Sequence, residues 1–142
     1  MRADASAALH LYSRAAEAGS PAAQTWLAEA LKTGRGVIAD VDAAIAWYVR
    51  AARSGHVQAL NGLTDLVLER PTTPEAQAEV IRLWLEPARA GNAAAQRNLG
   101  RLLLRGVGGT ASPVEAVLWL QKAAAQGDEP AKQVLSESSH EL

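Results

Sequence analysis

The sequence predicts an all-α chain, a solenoid of stacked antiparallel helix pairs, and three observations carry that prediction. Glycine recurs at positions 19, 55, 91 and 127, 36 residues apart each time. Between these glycines, apolar residues recur at three- and four-residue steps, the period of a helix with one buried face. Alanine supplies 31 of the 142 residues while Phe and Cys are absent, a composition suited to short helices in close contact. A repeat of this length decides the architecture, because each unit can bury its apolar face only against its neighbours.

Other columns hold the same register. Ala16, Ala52, Ala88 and Ala124 align, as do Ala23, Ala59, Ala95 and Ala131, and Leu27, Leu63, Leu99 and Leu135. An aromatic column runs Tyr12, Tyr48, Trp84 and Leu120, with Leu11, Trp47, Leu83 and Trp119 beside it. Each unit therefore reads as a helix A followed by a helix B. Small residues at their contact let the axes approach toward the lower end of the usual ~8–10 Å.

The first helix, 4–18, is a helix B without its own helix A, because Ala3-Asp4 aligns with Ala39-Asp40. Helix 21–33 opens on Ser20 and Pro21, buries Ala23, Leu27, Ala30 and Leu31, and stops at Gly34 and Gly36, since glycine adopts the positive φ of a C-terminal cap. Helix 41–54 is capped by Asp40 and buries Ala44, Trp47, Tyr48, Ala51 and Ala52. Helix 57–69 follows His56, which stands in the column of Ser20, Asn92 and Asp128; those three are strong N-caps. The corner after it, LERPTTPEAQ, lacks the Gly-x-Gly pair and predicts a rigid proline turn at Pro71 and Pro74. In helix 74–89, Pro87 removes one N–H, which predicts a kink or an early end. Helix 93–105 follows Asn92 and ends at GVGG, residues 106–109, which reads as a helix corner and not as a phosphate loop. Helix 113–126 opens with Ser112, Pro113 and Glu115, the pattern of a capping box. The last helix, 129–137, leads into the polar SESSHEL, a solubilising cap. The tryptophans at 47, 84 and 119 are expected in the core, and Trp26 less so, because its column holds Gly62 and Asn98.

The composition excludes several functions. A net charge of −1 with no block of Lys and Arg argues against nucleic-acid or anionic-membrane surfaces. No apolar run reaches the roughly 18–20 residues that span a bilayer, so membrane insertion is not expected. Absent cysteines exclude disulfides, thiol catalysis and cysteine metal sites. His10, His56 and His140 share no helical i, i+3 or i, i+4 spacing, and Asp40 and Asp42 fit a helix N-terminus better than an acid–base pair. No nucleophile elbow or Walker A loop is present, so no catalytic, cofactor or metal residue is assigned.

Residues 22–55, AAQTWLAEALKTGRGVIADVDAAIAWYVRAARSG, resemble a Sel1-like repeat, a relative of the tetratricopeptide repeat. The residues that carry the resemblance are Ala23, Leu27, Gly34, Gly36, Val37, Asp40, Ala44, Trp47, Tyr48, Ala51, Ala52 and Gly55, with Ala95, Leu99, Gly100, Gly106, Gly108, Ala116, Trp119, Ala123, Ala124 and Gly127 in the third unit. Leu31, Val67 and Leu103 replace the usual helix A aromatic, and the middle unit is degenerate. The resemblance implies a right-handed α/α solenoid: one domain over 1–142, with a partial unit at 4–19, repeats at 20–55, 56–91 and 92–127, and a terminal helix at 128–138.

The resemblance further implies a non-catalytic adaptor or scaffold of bacterial type that binds a protein or peptide on a concave helix A face. The 36-residue frame projects onto that face Thr25, Glu29 and Lys32, then Asn61, Asp65 and Leu68, then Arg97, Arg101, Leu104 and Arg105. The face runs from mixed or acidic to basic. An alternative is an immunity or inhibitor protein that neutralises a cognate toxin or enzyme; a hydrolase of cell-wall fragments is disfavoured by the missing site residues. The open N-terminal helix is a candidate homodimer contact. Without a visible leader the chain as written is expected in the cytoplasm, or in the periplasm or outside the cell if a leader has been removed.

Overall fold

The computed structural model describes residues 2–109 and 112–141, with side chains for 6–109 and 112–137. The described residues form eight helices in order: α1 (Arg2–Glu17), α2 (Pro21–Thr33), α3 (Val41–Arg53), α4 (Val57–Glu69), α5 (Pro74–Arg89), α6 (Ala93–Leu104), α7 (Pro113–Ala125) and α8 (Glu129–Glu141). Even-numbered helices are the helices A of the repeat and odd-numbered ones the helices B. The described residues contain no strand. They form two compact units, residues 1–66 and 67–142.

The caps follow the sequence chemistry. Ser20, Asp40, Asn92 and Asp128 each accept a hydrogen bond from the backbone N–H three residues on, at 3.3, 3.1, 2.9 and 3.0 Å. Thr73 does the same for α5 at 3.2 Å, so Pro74 occupies the first turn and the proline corner holds. Gly34 closes α2 in the left-handed region at φ 79°. The glycine column 19, 55, 91 and 127 has φ between 89° and 102° throughout, which explains why no other residue type occupies it.

Three local expectations are corrected. Ser112 stands at the N-cap of α7 but makes no side-chain cap bond; its φ of −129° and ψ of 79° depart from the extended geometry of Ser20, Thr73 and Asn92. Pro87 does not end α5 early, since the helix continues to Arg89. It lies in the last turn, where its missing N–H costs a single ladder bond and its own carbonyl accepts from Asn92 N–H at 3.0 Å. The final helix extends through Glu141, past its expected end at 137.

The first unit packs Ala16, Ala23 and Leu27 with the partly buried Leu9, Ala15, Trp26, Leu31 and Trp47 around them. The second packs Leu120, Ala123 and Ala131 with Ala93, Ala124, Val134 and Leu135. The alanine column 23, 59, 95 and 131 is buried in full, at 0–3% exposure. In the aromatic column Tyr48, Trp84 and Leu120 are buried as well. The neighbouring column is only partly buried: Trp47 packs against the core of the first unit, yet it and Trp119 are half-buried, short of the core burial expected. Each lies under a cation three residues on, Arg50 at 4.6 Å and Lys122 at 4.7 Å from the ring centre. A one-residue step turns the side chain about 100° around the helix, enough to move an indole from the core to its rim.

Size matching at the helix contacts is tight. A Cβ on Gly62 would lie 2.6 Å from Tyr48 Cε1, and one on Gly100 would lie 2.6 Å from Leu120 Cγ. Where the Gly62 column instead holds Trp26, Tyr12 stacks on that indole at 4.2 Å.

Candidate functional site

In the second unit, helices A leave a concavity of about 420 Å³ along their exposed side. Leu68 from the end of α4, Arg97, Arg101, Leu104 and Arg105 from α6 and its cap, and Pro130, Gln133, Val134 and Glu137 from α8 line it. Residues 97, 101, 104 and 105 share one side of α6 because three- and four-residue steps return to the same face. Arg97 is held in place: its guanidinium donates to Asp128 Oδ1 at 2.7 Å, while Asp128 Oδ2 caps α8. Arg101 is partly buried and Arg105 exposed. The walls thus combine three arginines and one glutamate with Leu68, Leu104, Pro130 and Val134.

The first unit carries a second concavity, of about 530 Å³, lined by Trp26, Glu29, Ala30, Lys32, Thr33, Arg35, Tyr48, Gly62 and Asp65. Gly62 lines it where the Tyr48 ring packs directly against the helix backbone. Its charges are balanced, with Glu29 and Asp65 against Lys32 and Arg35.

Of the ten residues projected onto the helix A face, five line the cavity of the second unit and three, Glu29, Lys32 and Asp65, line that of the first. Asn61 is exposed and lines neither. Thr25 leaves the surface altogether. It is 4% exposed, and its hydroxyl donates to the Pro21 carbonyl at 2.8 Å, which satisfies the polar group inside its own helix. The α8 residues were not anticipated, although the frame contains them: Gln133 and Glu137 are the counterparts of Arg97 and Arg101.

Two further polar positions are structural. Gln24 and Gln96, in the same column two repeats apart, donate to the carbonyls of Ala16 and Ala88 at 3.0 and 3.1 Å, tying helix A to the end of the preceding helix B.

Nothing here assembles a metal or acid–base site from the described residues. No group of three His, Asp or Glu is close enough to hold a metal ion among them. His10 is exposed, His56 half-buried, and the His140 side chain lies outside the described residues. No helix of the described residues is long and apolar enough to cross a membrane.

Comparison with solved structures gives two informative neighbours. A protective antigen present in uropathogenic Escherichia coli strains, displaying an SLR fold, is 28% identical with a TM-score of 0.66 over 94% of this chain. This chain spans 28% of that longer protein. A Sel1 repeat protein from Oxalobacter formigenes is 32% identical with a TM-score of 0.59, over 91% of this chain and 97% of that one. No curated protein matches the chain. The Sel1 repeat model matches residues 1–20, 21–56 and 93–128, passing over 57–92, the degenerate unit with its proline corner. Helix pairs in a 36-residue register, the glycine and alanine columns, and matches over more than half of its length place this chain in the Sel1 repeat family.

Proposed function

We propose that the chain is a non-catalytic adaptor that binds a protein or peptide partner on its helix A surfaces, with the α6–α8 trough as the principal contact. Sel1 repeat proteins are in general protein-interaction scaffolds, which supplies the class of function. The observation that carries the reading is the convergence of Leu68, Arg97, Arg101, Leu104 and Arg105 on one cavity. Apolar side chains ringed by arginine are the composition of an interface centre, where a few anchors dominate the binding energy.

The test is a complex recovered from native lysate and remeasured with Arg101→Glu combined with Leu104→Asp. The reading expects a loss of about tenfold or more, equivalent to about 1.4 kcal/mol. Unchanged binding contradicts the assignment. Recovery of one enzyme in stoichiometric complex, silenced by it, would specify an inhibitor role on the same surface.

A further inference from the structure

We propose that the α6–α8 trough receives an acidic protein segment bearing one bulky apolar side chain. Arg101 and Arg105 engage two carboxylates of the segment, and Leu68, Leu104 and Val134 receive the apolar group. This rests on the adaptor reading above and names the chemistry of its partner.

The repeat itself supplies the first argument. The column of Arg101 holds Glu29 and Asp65 in the two preceding helices A and Glu137 in the next, and the column of Arg105 holds Thr33 and Glu69, then Glu141. Helices α2 and α4 form with acidic or neutral residues at these outward positions, so positive charge there is no requirement of the fold. Its appearance in α6 reverses the charge of the surface at one unit only.

The second argument is what the arginines already touch. Arg97 is engaged by Asp128, whereas no carboxylate among the described residues pairs with Arg101 or Arg105. Among the described residues, Glu137 is the one acidic residue lining the cavity, against three arginines. The trough therefore presents a net positive wall that complements an acidic ligand.

Geometry narrows the ligand further. Residues 101 and 105 are one helical turn apart, about 6 Å along the axis. Two carboxylates at i and i+2 of an extended segment, about 7 Å apart, match that spacing, as do i and i+4 of a helix. Each guanidinium offers a planar fork that takes a carboxylate in bidentate fashion. Leu104 lies between the two arginines in sequence, and with Leu68 and Val134 it provides an apolar patch that a small dicarboxylate would leave uncovered.

The experiment pans a random dodecapeptide display library over the immobilised full chain. The Arg101→Glu, Arg105→Glu double variant serves as the counter-target, after circular dichroism has shown the wild-type helical melt. The proposal expects enrichment of Asp or Glu pairs spaced by two or four around Leu, Met or Phe. The synthetic consensus peptide should then bind about tenfold more weakly to the double variant and lose affinity with added salt. Glu86→Arg on α5, an exposed position that lines neither cavity, should leave its affinity unchanged. The proposal is overturned by no enrichment, by clones without acidic bias, by equal binding to the double variant, or by displacement with free glutarate at the concentration of the peptide itself. If these results arise while Leu104→Asp still releases a captured protein partner, the adaptor reading stands and only the acidic-segment assignment fails.

Discussion

Gln126 Nε2 donates to Gln96 Oε1 at 2.9 Å and to the Gly91 carbonyl at 2.9 Å, a clasp from the end of α7 on the latch by which Gln96 ties α6 to α5. The first unit has the same latch without its clasp. Gln24 stands in the Gln96 column, but its buried Oε1 has no partner among the described residues. The residue in the Gln126 column is Ser54, whose hydroxyl donates to Arg50 O instead.

Ser54→Gln should therefore stabilise the first unit. Both positions are helix C-caps, so the longer side chain can be placed as Gln126 is. Satisfying a buried acceptor contributes about 1 kcal/mol, which should raise the thermal midpoint by a few degrees in a calorimetric scan. An unchanged or lowered midpoint would show that Gln24 is already satisfied in solution.

Gly62→Ala and Gly100→Ala decide between helix propensity and packing. Alanine in a helix interior is favoured over glycine by about 1 kcal/mol. Here the added methyl would meet the buried Tyr48 ring or Leu120 at 2.6 Å. Overpacking of this kind costs about 1–3 kcal/mol, so both variants should be less stable in urea unfolding. Stabilisation by either would mean that the helices separate freely.

The caps give a paired test. Ser20→Ala and Asn92→Ala each remove a bonded cap and should cost about 1 kcal/mol. Ser112→Ala should fall within about 0.5 kcal/mol of wild type, because that hydroxyl makes no cap bond. Equal losses at all three in thermal melts would contradict the α7 geometry.

Asp128 has two duties that substitution can separate. Asp128→Asn keeps an acceptor for Ala131 N–H but drops the ion pair with Arg97, whereas Asp128→Ala loses both. Amide exchange in α8 should accelerate slightly in the first and several-fold more in the second.

The helices and their caps were legible because the 36-residue frame turns one chain into four aligned readings. A cap seen at Ser20 is checked again at Asn92 and Asp128. Burial was less legible. Trp47 and Trp119 carry the same hydrophobicity whether they lie in the core or at its rim, and what places them at the rim is one residue of helical rotation, with Arg50 and Lys122 over their rings. The frame placed Thr25 outward with Asn61 and Arg97, yet a hydroxyl that bonds its own helix can be buried at little cost. Arginines at 97, 101 and 105 were found by projection alone. Pro130, Gln133, Val134 and Glu137 were missed because the projection stopped at the third repeat, although the frame carries Arg97 and Arg101 onto Gln133 and Glu137.

The central claim is that a partner lies in the trough between α6 and α8. Site-specific photocrosslinking tests it directly, with a benzophenone side chain placed at Leu104 in the trough or at Leu118 of α7, which is 54% exposed outside it. The account predicts that the recovered partner crosslinks through position 104, only weakly through position 118, and no longer through 104 once Arg101 and Arg105 are changed to Glu. Equal or stronger crosslinking through position 118, insensitive to the arginines, would contradict it.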